Sequence, residues 1–255
     1  MTDKHLSEKL EYWYKKICTK EFITDDPVQF PHRYAKHEDI EIAAFLAATI
    51  AWGKRCIILR SAEKMFSLMG NSPYDYVMSD SWKKLKTGNI HRTFFENDLK
   101  YFCRGFKHLY TKHENLENLF KSAAHESIWT GFYVFREEMA AANKGQYSRH
   151  IGYAGKDNEN GSACKKLNLA LRWLVRKGPV DLRLWKNIKP SALYIPLDVH
   201  VARTARKLGL LERKSNDKKT VCELTQKLRL YDSSDPAKYD FALFGMGVNG
   251  IITPS

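Results

Sequence analysis

The sequence predicts an all-α protein. It holds only 14 Gly and 8 Pro in 255 residues, with few runs that alternate apolar and polar. Segment after segment instead repeats apolar residues at helical spacing. A hydrophobic content of 44% with 13% aromatics marks a globular chain, and its length fits one large domain or two lobes.

Taken in order, residues 3–20 suit a helix, with Leu6, Leu10, Trp13, Tyr14 and Ile17 as its stripe. Residues 24–34 hold two prolines and break the pattern. His32, Arg33 and Tyr34 in that loop either serve a phosphate or base or tie the loop to the lobe beneath. The segment 39–52 is nearly apolar all round after Glu41, so it should be central. Helices at 56–69 and 74–78 follow, then a turn at 88–93 and an aromatic-rich helix at 94–110. Further helices are expected at 116–123 and 127–142. Residues 143–160 read as a loop, longer than most connections. A helix at 162–176 stops at Gly178-Pro179, and 181–188 reads as a short helix. The stretch 195–211 is a helix with marked ends: Pro196 bars helix before it, Asp198 caps it and Gly209 ends it left-handed. Helices at 219–230 and 235–245 complete the chain, the last with Asp235 as cap and Pro236 at its first position.

Composition narrows the partners. The formal net charge is +13 and the pI about 9.4, which favours a polyanion, most commonly nucleic acid. No apolar run approaches a membrane span, and the charged N-terminus does not suit a signal peptide. A cytoplasmic protein with no membrane partner is expected. Cys18, Cys56, Cys103, Cys164 and Cys222 are widely spaced, which argues against a zinc site, a cluster or a disulfide framework. No metal and no cofactor is expected. Nucleotide-binding glycine loops and hydrolase motifs do not occur either.

Three segments, in order, resemble the helix-hairpin-helix superfamily of DNA glycosylases. Residues 40–69, followed by Ser-Pro-Tyr, look like its opening apolar helix, strand-probing turn and next helix. Residues 162–173 are similar to the helix carrying its catalytic lysine. The run P-L-D-V-H-V-A-R at 196–203 resembles its P-V-D-x-H segment with the catalytic aspartate, and 241–247 is like its late helix ending in L-G. The likeness covers roughly half the chain. The same P-L-D-V-H-V-A-R run also resembles an uncharacterised bacterial family of similar length. The family's L-P-G-x-G hairpin is replaced by 156–162, with one glycine, Gly161, and its terminal iron–sulfur cysteines are absent. The gap of 33 from Lys165 to Asp198 is longer than in common members and nearest in style to the archaeal oxoguanine glycosylases.

The resemblance implies two helical lobes with a cleft between them, helix-hairpin-helix glycosylase-like with an altered hairpin. The expected lobes are 40–185 and 1–39 plus 186–255, with Asp198 and a lysine meeting at the cleft mouth. An ionised carboxylate suits a reaction that gathers positive charge on a sugar, and a helix start keeps Asp198 ionised. The residue's simpler role is that of a cap. Lys165 and Lys166 are both candidates for a Schiff-base nucleophile. Periodicity does not choose between them, and the family's Asn three residues on, here Asn168, favours Lys165. Either lysine also fits a solvated basic face.

Trp52 fits insertion into the gap of a flipped base, stacking on that base, or the core. Lys54, Arg55, Arg203 and Arg206 would contact phosphates, beside Lys207. His200 either orients Asp198 or bonds backbone. The expected function is a DNA base-excision glycosylase with lyase activity, acting as a monomer on double-stranded DNA. The alternative is a non-catalytic DNA- or RNA-binding module on the same scaffold. An enzyme for another substrate is a third reading.

Overall fold

The computed structural model describes residues 4–123, 127–156 and 160–249. Its fold is all-α, and two short strands are its one paired ladder among those residues. The chain divides into two compact units. One is continuous, Ile23–Ile151; the other is split, joining Met1–Phe22 to Gly152–Ser255. Among the described residues, no helix is long and apolar enough to cross a membrane.

The continuous unit is built round α3, His37–Ile50, in which every residue from Asp39 to Ile50 is buried. Ala, Ile, Leu and Phe side chains there meet apolar neighbours on all sides. Helices α4 (Arg55–Met69), α5 (Pro73–Met78), α6 (Glu96–His113), α7 (Leu116–Ala123) and α8 (Ile128–Ala142) surround it. Phe45 of α3 stacks on Phe135 at 5.1 Å and on Phe120 at 6.0 Å. The one glutamate of α3's buried stretch, Glu41, is fully employed. It accepts from Tyr110 Oη at 2.9 Å and from the amides of Leu116 and Glu117, both at 3.1 Å. The same carboxylate thus supplies acceptors for the first amides of α7, which an isolated helix start leaves unpaired.

Several expectations change at element ends. The first helix, α1 (Lys4–Ile17), ends short of the expected residue 20, and a four-residue helix not expected from the sequence, α2 (Glu21–Thr24), follows. The 24–34 loop holds two single-turn 3₁₀ segments, Pro27–Gln29 and Pro31–Arg33. Arg33 bonds Glu63 of α4 at 3.0 and 2.8 Å and lies over the Phe30 ring, so it ties the loop down. The expected turn at 88–93 is a small antiparallel hairpin, β1 (Asn89–His91) and β2 (Phe94–Phe95). Arg92 at its tip has φ +48°. Helix α6 therefore starts at Glu96, where the Asp98 carboxylate accepts from Phe95 N at 2.8 Å.

In the split unit, α1 and α10 (Val199–Lys207) both pack on α12 (Tyr239–Val248). A Cβ at Gly245 would fall 2.3 Å from Ile17 Cγ1, so only glycine permits the α1–α12 approach. Helix α9 is Lys165–Val175 and α11 is Lys218–Arg229. The helix expected at 181–188 is absent. Residues there run extended against the end of α9 instead: Leu182 N donates to Trp173 O at 2.7 Å, Arg183 N to Arg176 O at 3.0 Å and Trp185 N to Leu174 O at 2.9 Å. Two of those carbonyls belong to the last turn of α9, which has no internal donors for them. The last helix is also delayed. Pro236 opens a 3₁₀ turn, Asp235 makes no side-chain cap, and α12 begins at Tyr239.

Candidate functional site

Two helix starts in the split unit bring one lysine and one aspartate together. Asp198 stands in extended backbone before α10, and its Oδ1 accepts from His200 N and Val201 N, both at 2.9 Å. That is the cap the sequence predicts. Its other oxygen, Oδ2, lies 3.2 Å from Lys165 Nζ in the first turn of α9. One oxygen holds the helix and the other holds the amine. Neither side chain is sealed off: Lys165 is 30% exposed and Asp198 23%. Burial works against the Asp198 charge, and the Lys165 ammonium and the Val201 amide outweigh it, so the carboxyl sits below its ordinary pKa.

Behind this pair runs a line of buried charges that sequence reasoning missed. Arg172, two turns along α9, pairs with Asp240 of α12 and lies 3.4 Å from Asp181. Arg176 pairs with Asp181 and forks onto Asp235, with Nε–Oδ1 and Nη2–Oδ2 both at 2.8 Å. Asp235 fails to cap α12 because its oxygens serve this guanidinium. Burial opposes the Arg176 charge, and the Asp181 and Asp235 carboxylates outweigh it and raise its pKa. Asp240 goes the other way. Burial, against the pull of Arg172, lifts its carboxyl to about 6, with Asp198 adding to the rise. The cations at 165 and 172 fall on one side of α9, with Arg176 following at its C-cap, a spacing visible in the sequence. The aspartates they meet carry no local pattern.

The remaining predicted residues divide. Lys165, not Lys166, is the lysine whose ammonium reaches Asp198. His200 is exposed, and its Nδ1 lies 3.2 Å from Arg203 Nη2; it gives Asp198 its backbone amide rather than its ring. Arg206 is committed to structure, donating to Arg213 O, Lys214 O, Ser215 O and Asn216 Oδ1 at 2.7 to 3.2 Å. Trp52, Lys54 and Arg55 belong to the continuous unit. Arg55 reaches Asp26 at 3.3 Å, while Lys54 is exposed in the turn before α4.

The segment expected to replace the family hairpin is partly described, since 157–159 lie outside the described residues. At its neck, Ser162 N donates to Tyr153 O at 2.8 Å, and Gly161 O accepts from Lys218 N at 2.9 Å. Its described end is thereby tied to the start of α11. Among the described residues, no cluster of three or more His, Cys, Asp or Glu is arranged to hold a metal ion.

These features define an all-α protein with a lysine–aspartate ion pair at two helix starts, backed by a buried charge network. The chain belongs to the family described as "Protein of unknown function (DUF2400)", which matches residues 26–249. That match bears out the likeness to an uncharacterised family. No curated protein and no solved structure matches the chain.

Proposed function

We propose that the protein is a DNA base-excision glycosylase with lyase activity, in the manner of the helix-hairpin-helix superfamily its motifs resemble. The single observation that carries the reading is the Lys165–Asp198 contact of 3.2 Å. Residues 33 apart in sequence are joined at two helix starts, where the dipoles favour an anion and disfavour a cation. Both remain reachable by solvent. The net charge of +13 supports a polyanionic substrate, and the proposed substrate is a damaged nucleotide of double-stranded DNA flipped into a cleft.

On this reading Lys165 Nζ passes a proton to Asp198 Oδ2 and attacks C1′ of the flipped nucleotide. The base departs with the electron pair of the N-glycosidic bond and takes that proton. The C1′–O4′ bond then opens as a proton passes from Nζ to O4′, leaving an iminium between C1′ and Nζ. Asp198 Oδ2, a free carboxylate again, takes a C2′ proton; the electrons of that C–H bond expel the 3′ phosphate, and water hydrolyses the iminium and releases the lysine. Borohydride reduces the iminium to a stable amine, which gives the test.

The experiment is incubation with duplexes carrying oxidised guanine, uracil or an abasic site, followed by borohydride. The wild type should form a covalent adduct with at least one. Lys165→Gln should form none, while Lys166→Gln should still trap. Asp198→Asn should slow base release by about 10²–10⁴-fold. No adduct with any duplex sinks the lyase, and no base release across the panel sinks the glycosylase. The second reading, a non-catalytic DNA- or RNA-binding module, draws on the cap that Asp198 supplies. It expects binding that survives Asp198→Asn unchanged and no turnover.

A further inference from the structure

In the continuous unit, three chain segments meet at one knitted tip. The turn between α3 and α4 brings Trp52, Gly53 and Lys54. The β1–β2 hairpin brings His91, Arg92 and Thr93, and the loop after α8 brings Arg149 and His150. The indole of Trp52 meets His91 edge-on at 4.6 Å and stacks on His150 at 5.8 Å. His91 is also bonded on both nitrogens, to Trp52 O and to Ser61 Oγ of α4, each at 2.9 Å. Arg149 donates to Thr93 O. His150 Nε2 lies 3.3 Å from Arg149 Nε and 3.4 Å from Asp98 Oδ1.

Gly53 has φ +105°, and a Cβ there would come within 2.5 Å of Arg92 Nη1. The hairpin tip therefore lies directly on the turn. Three side chains at this tip, Lys54, Arg92 and Arg149, are exposed cations. Among the described residues no carboxylate pairs with any of them. The nearby acids are spent elsewhere: Asp98 caps α6 and faces His150, and Asp26 takes Arg55.

We infer that this tip is a phosphate-gripping surface for duplex DNA, with Lys54, Arg92 and Arg149 as the grips and Trp52 as a fixed wall between them. The charge complementarity is direct: unpaired cations held on rigid backbone match a run of phosphates. The bonds that knit the three segments mean little order remains to be gained on binding. Trp52 is held in place by both imidazoles: its carbonyl accepts from His91, whose ring meets the indole edge-on, and His150 stacks on the indole. The inference shares with the proposed function the choice of DNA as partner but needs no catalysis.

The test is binding of the full chain to a short undamaged duplex, followed by anisotropy over a range of salt, with Lys165→Gln as background so that chemistry is silent. Each phosphate contact removed should flatten the log affinity against log salt slope by about 0.9. Arg92→Gln and Arg149→Gln should each do so and weaken binding several-fold; the melting temperature should stay unchanged in Arg92→Gln, whereas Arg149→Gln also removes the bond to Thr93 O and is read against it. Lys121→Gln on α7 should change neither quantity. If the background protein binds the duplex and both tip variants bind with the same affinity and slope, the tip is overturned while the DNA reading stands. If the tip variants keep duplex binding and lose only binding to anionic phospholipid vesicles, measured in parallel, the tip is likewise overturned as a DNA surface. No duplex binding by the background protein sinks the DNA reading and the tip together. Weakened, flattened binding without base release from any lesion by the wild type supports the tip and sinks only the glycosylase.

Discussion

The two compact units solve the problem of the interior in opposite ways. The continuous unit surrounds α3, nearly apolar after Glu41, with aromatic side chains, and the fully buried Glu41 spends its oxygens on a phenol and two amides. The split unit draws a line of charge through its centre, with Arg176 fully buried between Asp181 and Asp235, and Arg172 between Asp181 and Asp240. Apolar packing is tolerant and non-directional. Paired buried charges are directional, and each depends on its partner. The lysine–aspartate pair sits at the end of the second kind of interior. The solvent-reachable ion pair and the buried charges thus share a unit, while the other unit rests mainly on aromatic and aliphatic packing.

The largest effect should come from breaking the charge line. Arg176→Met leaves Asp181 and Asp235 without their guanidinium and should cost about 3–5 kcal/mol of unfolding free energy, read by urea denaturation. A cost below about 1 kcal/mol would erase the contrast between the units.

Next comes the pH response of Asp240. Its carboxyl is lifted from an ordinary 3.8 to about 6, so between those values the folded state holds a proton that the unfolded state has lost. Stability should then fall as pH rises through that window, by on the order of 3 kcal/mol in all. Asp240→Asn should flatten the decline, and an unchanged slope would remove Asp240 as its source. Asp198 has the reverse sign: its lowered carboxyl stabilises above its ordinary pKa, and that support should fade only as the solution is made strongly acid.

Glu41→Gln tests the other unit. The amide keeps one acceptor but not the charge that two backbone amides and Tyr110 share, so a loss of about 1.5–3 kcal/mol is expected. A larger loss than Arg176→Met would invert the comparison. The smallest effect is Gly209→Ala, after α10. With φ +69° and open space around it, only backbone strain opposes the new Cβ, at about 1 kcal/mol, and a change under about 0.3 kcal/mol would mean the turn relaxes freely.

The helices were legible because their signals are local. The stripe of α1, the apolar run of α3, the Asp198 cap and the Gly209 stop all lie within a turn or two of what they govern. The cap was half the story of Asp198, and the sequence said nothing of which oxygen does what. Lys165 and Lys166 are alike in periodicity; the resemblance favours Lys165, and the fold brings that one to Asp198. Asp181, Asp235 and Asp240 were illegible as a group, since each meets its arginine from a different part of the chain. The 181–188 segment misled for a related reason. Its apolar spacing suits a helix, but the open carbonyls at the end of α9 offered its amides better acceptors.

Asp198 divides its two oxygens between folding and the amine, and this bears on how relatives of the chain can drift. A relative without the ion pair would still need something to hold the first amides of α10. Asparagine, serine and threonine do that; alanine does not. Drift at this position should therefore be channelled toward residues that keep the cap and drop the charge. An asparagine here would keep the cap and lose the ion pair; under the proposed function it would mark a lineage that kept the shape without the reaction, whereas an aspartate paired with lysine at 165 would keep both.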